Sequence, residues 1–321
     1  MVLSKAGAVR SSQIARGPSR VEESENSSSA ERAARVLKSV KDEEWRALVG
    51  LERGAMLYGT ADSGMVSRLS KLPRDRVTFA LDQLNKKGLV VGKGMSFSPT
   101  SEAIEILALH EYVKHDVIAA LGAIIAKGKE SDVFEALNEE GQLFALKFFK
   151  LGRVSFTRVR KKRFLDRTEV RSWISANYEA AKREYQALKK LEGLSESFPK
   201  VVASNRSTVL FEQLSGVRLS QRPELENPPA LLKSVLAAAR LAYTKAGLVN
   251  ADLSEYNILT DGSRAWLIDW PQAVATTHPN ARDLVAHDVR AVVRFFQRAY
   301  LVKLDEEAAL AFVTGAAAEL E

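Results

Sequence analysis

Residues 31–105 carry hydrophobic positions at helical spacing, followed by a short alternating stretch. "ARVLKSV" and "EEWRALVGLERG" predict two helices, the second closed by Gly54, and "SGMVSRLSKL" predicts a short one. "LPRDRVTFALDQLNKKGLV" predicts a longer helix, with Pro73 near its start and Gly88 after its end. "LVVGKGMSFSPT" predicts a β-hairpin. This order is typical of a winged helix-turn-helix, which contacts nucleic acid in some proteins and protein in others.

The pattern changes on either side of this region. Serine-rich, charged residues without apolar periodicity precede it, and strand-like segments such as "FEALNEEGQLFALKFF" follow it before helices fill the last third. We predict an α+β chain with a disordered tail at 1–30, a winged-helix domain at 31–105, a helical linker at 106–123 and a two-lobed domain at 124–321, with its N-lobe at 124–214 and its C-lobe at 215–321.

Composition narrows the classes of function. The chain has no cysteine, which excludes disulfides and cysteine-based metal sites, and its four histidines show no metal-ligand spacing. No apolar run approaches the roughly 20 residues of a membrane helix, and the basic N-terminus is not followed by the apolar segment of a secretory signal. We therefore expect a cytoplasmic protein without membrane contact.

The net charge of +7 is concentrated in one segment. Residues 147–171 hold ten basic residues against two acidic ones, a local net charge of +8. Such a segment is either a solvated loop or a contact for a polyanion such as nucleic acid. The candidates for RNA contact are Arg74 and Arg76 of the predicted longer helix, together with Arg158, Arg160, Lys161, Lys162 and Arg163.

Two charged side chains lie among apolar neighbours. Lys147 falls within the predicted strand "QLFALKFF", and Glu184 falls on an apolar stripe of the predicted helix "NYEAAKREYQALKKLEG". A lysine is costly to bury alone. Lys147 therefore either reaches solvent or pairs with Glu184.

The segment "VNADLSEYNILTDGSRAWLIDW" combines a polar loop with a hairpin turned at Asp261-Gly262. Folding the strands back brings Asn257, at the start of one strand, to Asp269, at the end of its partner, with Asp252 in the loop before them. Such hard oxygen ligands suit Mg²⁺ or Mn²⁺ bound together with substrate phosphates. In the alternative interpretation, Asp252 and Asn257 only cap turns.

A strand Lys, a Glu on the next helix, an Asp-x4-Asn loop and an Asp after a hairpin are the kinase set for phosphoryl transfer. With this set, "KGKESDVFEA", "RSWISANYEAAKREY", "DLSEYNIL" and "IDWPQAV" resemble the RIO family of atypical kinases over about residues 31–300. The winged-helix-like region resembles its second, winged-helix-bearing subfamily, in an archaeal-like form. The resemblance implies an N-terminal winged helix-turn-helix followed by a compact bilobal protein-kinase-like (RIO) domain lacking an activation segment.

The resemblance also implies a function. It implies an ATP-dependent serine/threonine kinase and ATPase that uses Mg²⁺ (or Mn²⁺) and acts through autophosphorylation or a phospho-aspartate intermediate. The implied partners are the pre-small-subunit ribosomal particle and its rRNA. Asp252 would be the catalytic base and Asp269 a metal ligand or phosphoryl acceptor. The other implied residues are Lys129, Ser131, Asp132, Lys147, Glu184, Glu212 and Leu214 at ATP, Asn257 at the metal, Asp288 steadying the loop from a helix N-terminus, and Ser155 as an autophosphorylation site.

The sequence departs from ordinary kinases and from the family. "GAIIAKGKESD" matches neither the G-x-G-x-x-G nor the Walker pattern, and no A-P-E follows Asp269, which favours ATPase-type switching over broad protein phosphorylation. Asn250-Ala251 replaces the usual His-Gly. We expect Asn250 to substitute through its own hydrogen bonds and Ala251 to restrict backbone angles that glycine allows. Two other hypotheses stay open: a nucleotide-binding assembly scaffold with little catalysis, and a winged-helix DNA-binding regulator with a degenerate kinase fold.

Overall fold

The computed structural model describes residues 1–3, 27–93, 96–152 and 167–320. Contacts divide the chain into two compact units. One comprises Met1–Ala181 and Ser204–Leu210, and the other comprises Lys182–Ala203 and Phe211–Glu321. Most of the predicted tail, the candidate Ser155 and the basic residues from Arg158 to Arg163 lie outside the described residues.

The first unit begins with a helical region that ends in a hairpin. Its elements are α1 (Ser29–Val36), α2 (Asp42–Tyr58), α3 (Ser63–Ser70), α4 (Arg74–Lys86), β1 (Val90–Lys93), β2 (Ser96–Pro99) and α5 (Ser101–Lys114). Strands β1 and β2 pair antiparallel, so the predicted winged helix-turn-helix is confirmed. The predicted helix end at Gly54 is wrong, since α2 continues to Tyr58 and ends at Gly59. Gly54 is instead a packing position, because a Cβ there would lie 2.7 Å from the Ala61 Cβ.

The described ends of the predicted tail take part in structure, contrary to the expectation of disorder there. Leu3 is buried, and its backbone N–H donates to the Ala119 carbonyl at 2.6 Å. At the other end, α1 already starts at Ser29 and is capped by Ser28. The predicted linker also ends too late, because α5 stops at Lys114 and the next strand begins at Ala120.

Five strands form the sheet that follows. They are β3 (Ala120–Lys127), β4 (Ser131–Leu137), β5 (Leu143–Phe149), β6 (Val201–Asn205) and β7 (Thr208–Glu212), in the order β3-β4-β5-β7-β6. Phe134 and Phe148 meet edge to face in its core. Gly122 lies between Leu121 and Ile124, where the pairing of β3 with β4 is irregular. A Cβ at this position would lie 2.8 Å from the Glu135 Cβ, which favours glycine there. Helix α6 (Arg167–Leu191) connects β5 to β6 and runs from the first unit into the second.

Besides the last part of α6, the second unit contains short strands and further helices. Its elements are β8 (Val217–Arg218), α7 (Pro228–Thr244), β9 (Leu248–Val249), β10 (Ile258–Thr260), β11 (Ala265–Leu267), β12 (Val274–Ala275), α8 (Ala281–Tyr300) and α9 (Glu306–Thr314). The β10–β11 hairpin confirms the turn predicted at Asp261-Gly262. The chain passes from Asp269 through β12 directly to α8, so the predicted lack of an activation segment is confirmed in this stretch. Among the helices that the structure describes, none has the length and hydropathy needed to cross a bilayer.

Candidate active site

The loop from Asn250 to Asn257, here called the catalytic loop, joins β9 to β10. Asn257 is 9% exposed, and its Nδ2 donates to the backbone carbonyl of Asp252 at 2.8 Å and to its Oδ2 at 3.2 Å. A short 3₁₀ helix at Glu255–Asn257 sets the spacing that brings the two side chains together. The Asp-x4-Asn pattern therefore forms a local, internally bonded unit.

Asn250 connects this loop to Asp269. It is 4% exposed; its Nδ2 donates to the Asp269 carbonyl at 3.1 Å, and its Oδ1 accepts the Asp252 N–H at 3.2 Å. The Ile268 N–H donates to the Asn257 carbonyl at 2.9 Å, which adds a second link. The expected hydrogen bonds of Asn250 are present. That they replace those of the usual His stays a prediction.

Asp288 of α8 holds the catalytic loop through its backbone N–H groups. Its Oδ2 accepts the Ala251 N–H at 2.8 Å, and its Oδ1 accepts the Leu253 N–H at 3.0 Å. The expected placement at a helix N-terminus is wrong: α8 starts at Ala281, so Asp288 lies about two turns inside it. It shares the buried stripe of α8 with Val285 and Val292.

The backbone at two site positions is strained. Ala251 has φ 67° and Asp269 has φ 68°, in the left-handed region that side chains disfavour by roughly 1–2 kcal/mol per residue. The hydrogen bonds from Asn250 and to Asp288 hold both positions there. Strain of this kind is concentrated at functional sites.

Burial raises the pKa of two carboxylates at this site, Asp252 in the catalytic loop and Asp288 on α8. Burial raises the pKa of Asp252; the hydrogen bond from Asn257 opposes this rise, and the charge of Asp269 adds to it. Burial also raises the pKa of Asp288 to about 7, although the Ala251 and Leu253 amides lower it. Asp252 and Asp269 are thus close enough to repel each other, which a cation between them would relieve.

Glu184 of α6 belongs to the second unit and contacts the turn that follows Asp269. It is 1% exposed, and its Oε1 accepts the Trp270 N–H at 3.2 Å. Trp270 is itself fixed, because its indole donates to the Leu267 carbonyl at 2.8 Å and its ring meets Phe198 edge to face. The Glu184 carboxylate therefore accepts a hydrogen bond from the residue that directly follows Asp269.

The first unit carries four of the predicted ATP residues, namely Lys129, Ser131, Asp132 and Lys147. Lys147 on β5 is 6% exposed, and its ammonium lies 4.7 Å from the centre of the Phe149 ring. Ser131 starts β4, and Lys129 is exposed in the turn before it. The Asp132 carboxylate accepts from Lys150 Nζ at 2.7 Å, so it is held by an ion pair. Lys147 and Glu184 belong to different units, and their pairing stays a prediction.

The predicted hinge lies at the end of β7 in the second unit. The Glu212 N–H donates to the Lys200 carbonyl at 3.0 Å, and the Glu212 carboxylate lies 3.6 Å from Lys200 Nζ. Leu214 follows in a loop and is half-buried. The Glu212 N–H is therefore occupied, which leaves other backbone groups of this stretch for adenine.

The donor set fits a divalent cation shared with a substrate. Across the described part of the chain, no group of three or more His, Asp or Glu side chains could hold a metal ion by itself. Asp252, Asn257 and Asp269 offer two carboxylates and one amide oxygen. Mg²⁺ is commonly bound by one or two carboxylates together with substrate phosphates, so these residues fit it.

The β-rich unit with a buried strand lysine, the loop with Asp252 and Asn257, and the turn at Asp269 define a protein-kinase-like phosphotransferase. The profile of the RIO domain matches residues 132–309, and the chain belongs to the RIO family. It is 32% identical over 250 residues to the RIO-type serine/threonine-protein kinase Rio2 of Methanocaldococcus jannaschii, covering 75% of this chain and 92% of that protein.

Two further relatives extend the likeness. The serine/threonine-protein kinase rio2 of Schizosaccharomyces pombe is 27% identical, over 84% of this chain and 80% of its own length. The crystal structure of the Rio2 kinase–ADP/Mg²⁺–phosphoaspartate complex from Chaetomium thermophilum superimposes with a TM-score of 0.73 at 26% identity, covering 87% of this chain and 88% of that one. The chain is accordingly an atypical kinase of this family.

Sequence reasoning missed the polar cluster around the buried Glu52. Glu52 of α2 is bonded to Arg206 and to Tyr178, 154 and 126 positions away in the sequence. The sequence did carry a signal, because Glu52 lies among the apolar residues of the buried face of α2. Glu184 lies among apolar residues of α6 in the same way. The partners could not be read from the sequence, since neither is local.

Proposed function

We propose that this chain is an ATP-dependent serine/threonine kinase and ATPase acting in small-ribosomal-subunit maturation in the cytoplasm. The observation that carries the proposal is the bonded set of Asn250, Asp252, Asn257 and Asp269. It holds two carboxylates of one site in fixed relation, as in-line phosphoryl transfer requires. The family membership and the likeness to an ADP- and Mg²⁺-bound Rio2 kinase support ATP and Mg²⁺ as its ligands.

Each site residue has a chemical task in this proposal. Lys147, with Lys129 and Ser131, contacts the phosphates, Glu184 partners Lys147, and the backbone near Glu212 and Leu214 binds adenine. Asn257 gives its Nδ2 to Asp252, and its amide oxygen serves the cation. When bound, Mg²⁺ neutralises charge on the phosphates. Asp252, whose pKa is raised by burial, accepts the proton of the attacking nucleophile.

Asp269 has two candidate roles. As a phosphoryl acceptor, its carboxylate oxygen attacks the γ-phosphorus, the bond to the β-phosphate oxygen breaks, and ADP leaves. Water then hydrolyses the acyl phosphate and releases phosphate. As a metal ligand only, Asp269 leaves the phosphoryl group to a serine such as Ser155 or to water. Hydroxylamine cleaves an acyl phosphate but not a phosphoserine, so treatment of the labelled protein separates the two roles.

The proposed partners are the pre-small-subunit particle and its rRNA. The support is the basic charge of the chain and the exposed Arg74 and Arg76 in the first turn of α4, the longer helix of the winged region. Arg76 is paired with Glu43 at 3.1 Å across an exposed surface, and such a pair is readily exchanged for phosphate. Binding of this type should weaken steeply with salt.

The alternative function is a nucleotide-binding scaffold, favoured by the strained Ala251 beside the catalytic aspartate. Single-turnover hydrolysis of Mg²⁺-ATP, with and without small-subunit precursor particles, separates the two. We expect turnover that Asp252→Ala and Asp269→Asn abolish, while the exposed Asp283→Asn on α8 leaves it intact. Tight ATP binding without turnover, even on the particles, would establish the scaffold instead.

A further inference from the structure

The buried cluster around Glu52 joins the winged-helix region to the rest of the first unit. The Glu52 side chain is 7% exposed; Arg206 Nε donates to its Oε1 at 2.6 Å and Arg206 Nη2 to its Oε2 at 3.0 Å. The Tyr178 hydroxyl donates to the same Oε1. A two-point guanidinium–carboxylate pair with a third donor is among the strongest polar arrangements in proteins.

Arg206 gathers several elements at one point. It lies in the turn between β6 and β7 at φ 53°, a conformation that arginine disfavours. Its Nη1 also donates to the Asn205 Oδ1 at 2.8 Å and to the Leu107 carbonyl of α5 at 3.4 Å. One guanidinium thus ties α2, α5 and the β6–β7 turn together.

Tyr178 adds helix α6 to this set. Burial and the adjacent Glu52 charge raise the pKa of Tyr178, which keeps its hydroxyl protonated and able to donate. Apolar contacts support the same junction, because Ile174 of α6 clusters with Ala55 of α2 and Ile104 of α5, and Tyr178 packs against that cluster. The first half of α6 is therefore seated on the winged-helix region.

Helix α6 also carries Glu184, six residues beyond Tyr178 and about 9 Å further along the helix axis. A continuous helix transmits a displacement of one turn to the next turns. We propose that Glu52, Arg206 and Tyr178 are positioning residues of phosphoryl transfer, through which the winged-helix region holds α6 and thereby places Glu184. The inference rests on the proposed function, in which Glu184 serves the nucleotide phosphates. In this proposal the winged-helix region positions a residue of the phosphoryl-transfer site, in addition to its proposed contact with RNA.

The test uses Tyr178→Phe in the full chain, since this change keeps the Glu52–Arg206 ion pair and the ring packing. We expect kcat for Mg²⁺-ATP hydrolysis to fall about 5-fold, equivalent to about 1 kcal/mol, while KM for ATP stays unchanged. The urea midpoint should fall slightly, because one hydrogen bond to a buried carboxylate is lost. The control is Tyr58→Phe, an exposed tyrosine on α2, which should leave kcat unaltered.

A second readout does not depend on turnover. Amide hydrogen exchange along residues 180–188 of α6 should become faster in Tyr178→Phe, whereas exchange in α7 should not change. Unchanged kcat and unchanged exchange along α6 would overturn the inference, as would a loss of kcat matched by faster exchange throughout the chain. A wild-type protein without turnover would contradict the proposed function alone, and the exchange of α6 would still decide this inference.

Discussion

Two buried carboxylates, one in each unit, are compensated in opposite ways. Glu52 faces the guanidinium of Arg206. Among the residues that the structure describes, the hydrogen bonds of Asp288 come from the backbone N–H groups of Ala251 and Leu253, with the charge of Asp252 nearby. Both residues are at least 95% buried. The consequence is visible in the pKa of Asp288, which burial raises to about 7. The comparison indicates that the first carboxylate serves the architecture and the second serves the catalytic loop at some expense in stability.

The largest expected effect on stability is at Glu52. In Glu52→Ala, the Arg206 side chain, which is only 15% exposed, loses its carboxylate partner, so we expect the free energy of unfolding in urea to fall by about 3–5 kcal/mol. The matched control is Glu43→Ala on the same helix, which removes the exposed pair with Arg76 and should cost less than about 1 kcal/mol. Equal losses in the two variants would contradict the comparison.

A change at Asp288 should have the reverse effect, lowering kcat strongly and stability little. In Asp288→Asn, the amide oxygen can accept only one of the two loop N–H groups well, and its NH₂ group faces the other. We expect kcat to fall about 100-fold through misplacement of Asp252, while stability at neutral pH changes by less than about 1 kcal/mol because a buried charge is also removed. A variant that lost stability but kept kcat would show Asp288 to be structural.

The pH dependence follows from the raised pKa of Asp288. Its ordinary value is 3.8, so between about pH 4 and about pH 7 the folded state holds a proton that the unfolded state has lost. Its contribution to stability is therefore present below pH 4 and is lost as the pH rises through 7. The single-turnover rate should rise over the upper part of this range, because the ionised carboxylate accepts the loop N–H groups more strongly. Asp288→Asn should remove the stability trend and flatten the rate profile near pH 7, where Asp288 ionises, which urea unfolding and rate profiles would reveal.

The sequence predicted the catalytic loop better than it predicted the cluster of Glu52, Arg206 and Tyr178. The reason is physical. Asp252, Asn257 and Asp269 are brought together by one short helix and one Asp-Gly hairpin, both encoded locally. The Glu52–Arg206 pair spans 154 positions and depends on how the domains pack, which no local pattern specifies. The start of β3 at Ala120 was also missed, because its apolar residues continue the hydrophobic pattern of the helix before it.

The smallest effect concerns the strained alanine of the catalytic loop. In Ala251→Gly, relief of the left-handed conformation outweighs the extra backbone entropy of glycine, so we expect a gain of about 0.5 kcal/mol in urea unfolding with kcat little changed. The control is Ala291→Gly within α8, where glycine should cost about 1 kcal/mol. If Ala251→Gly were as destabilising as this control, the strain would not be stored at that residue. A gain would instead show that the catalytic loop, unlike the junction at Glu52, tolerates instability because the hydrogen bonds to Asp288 hold it.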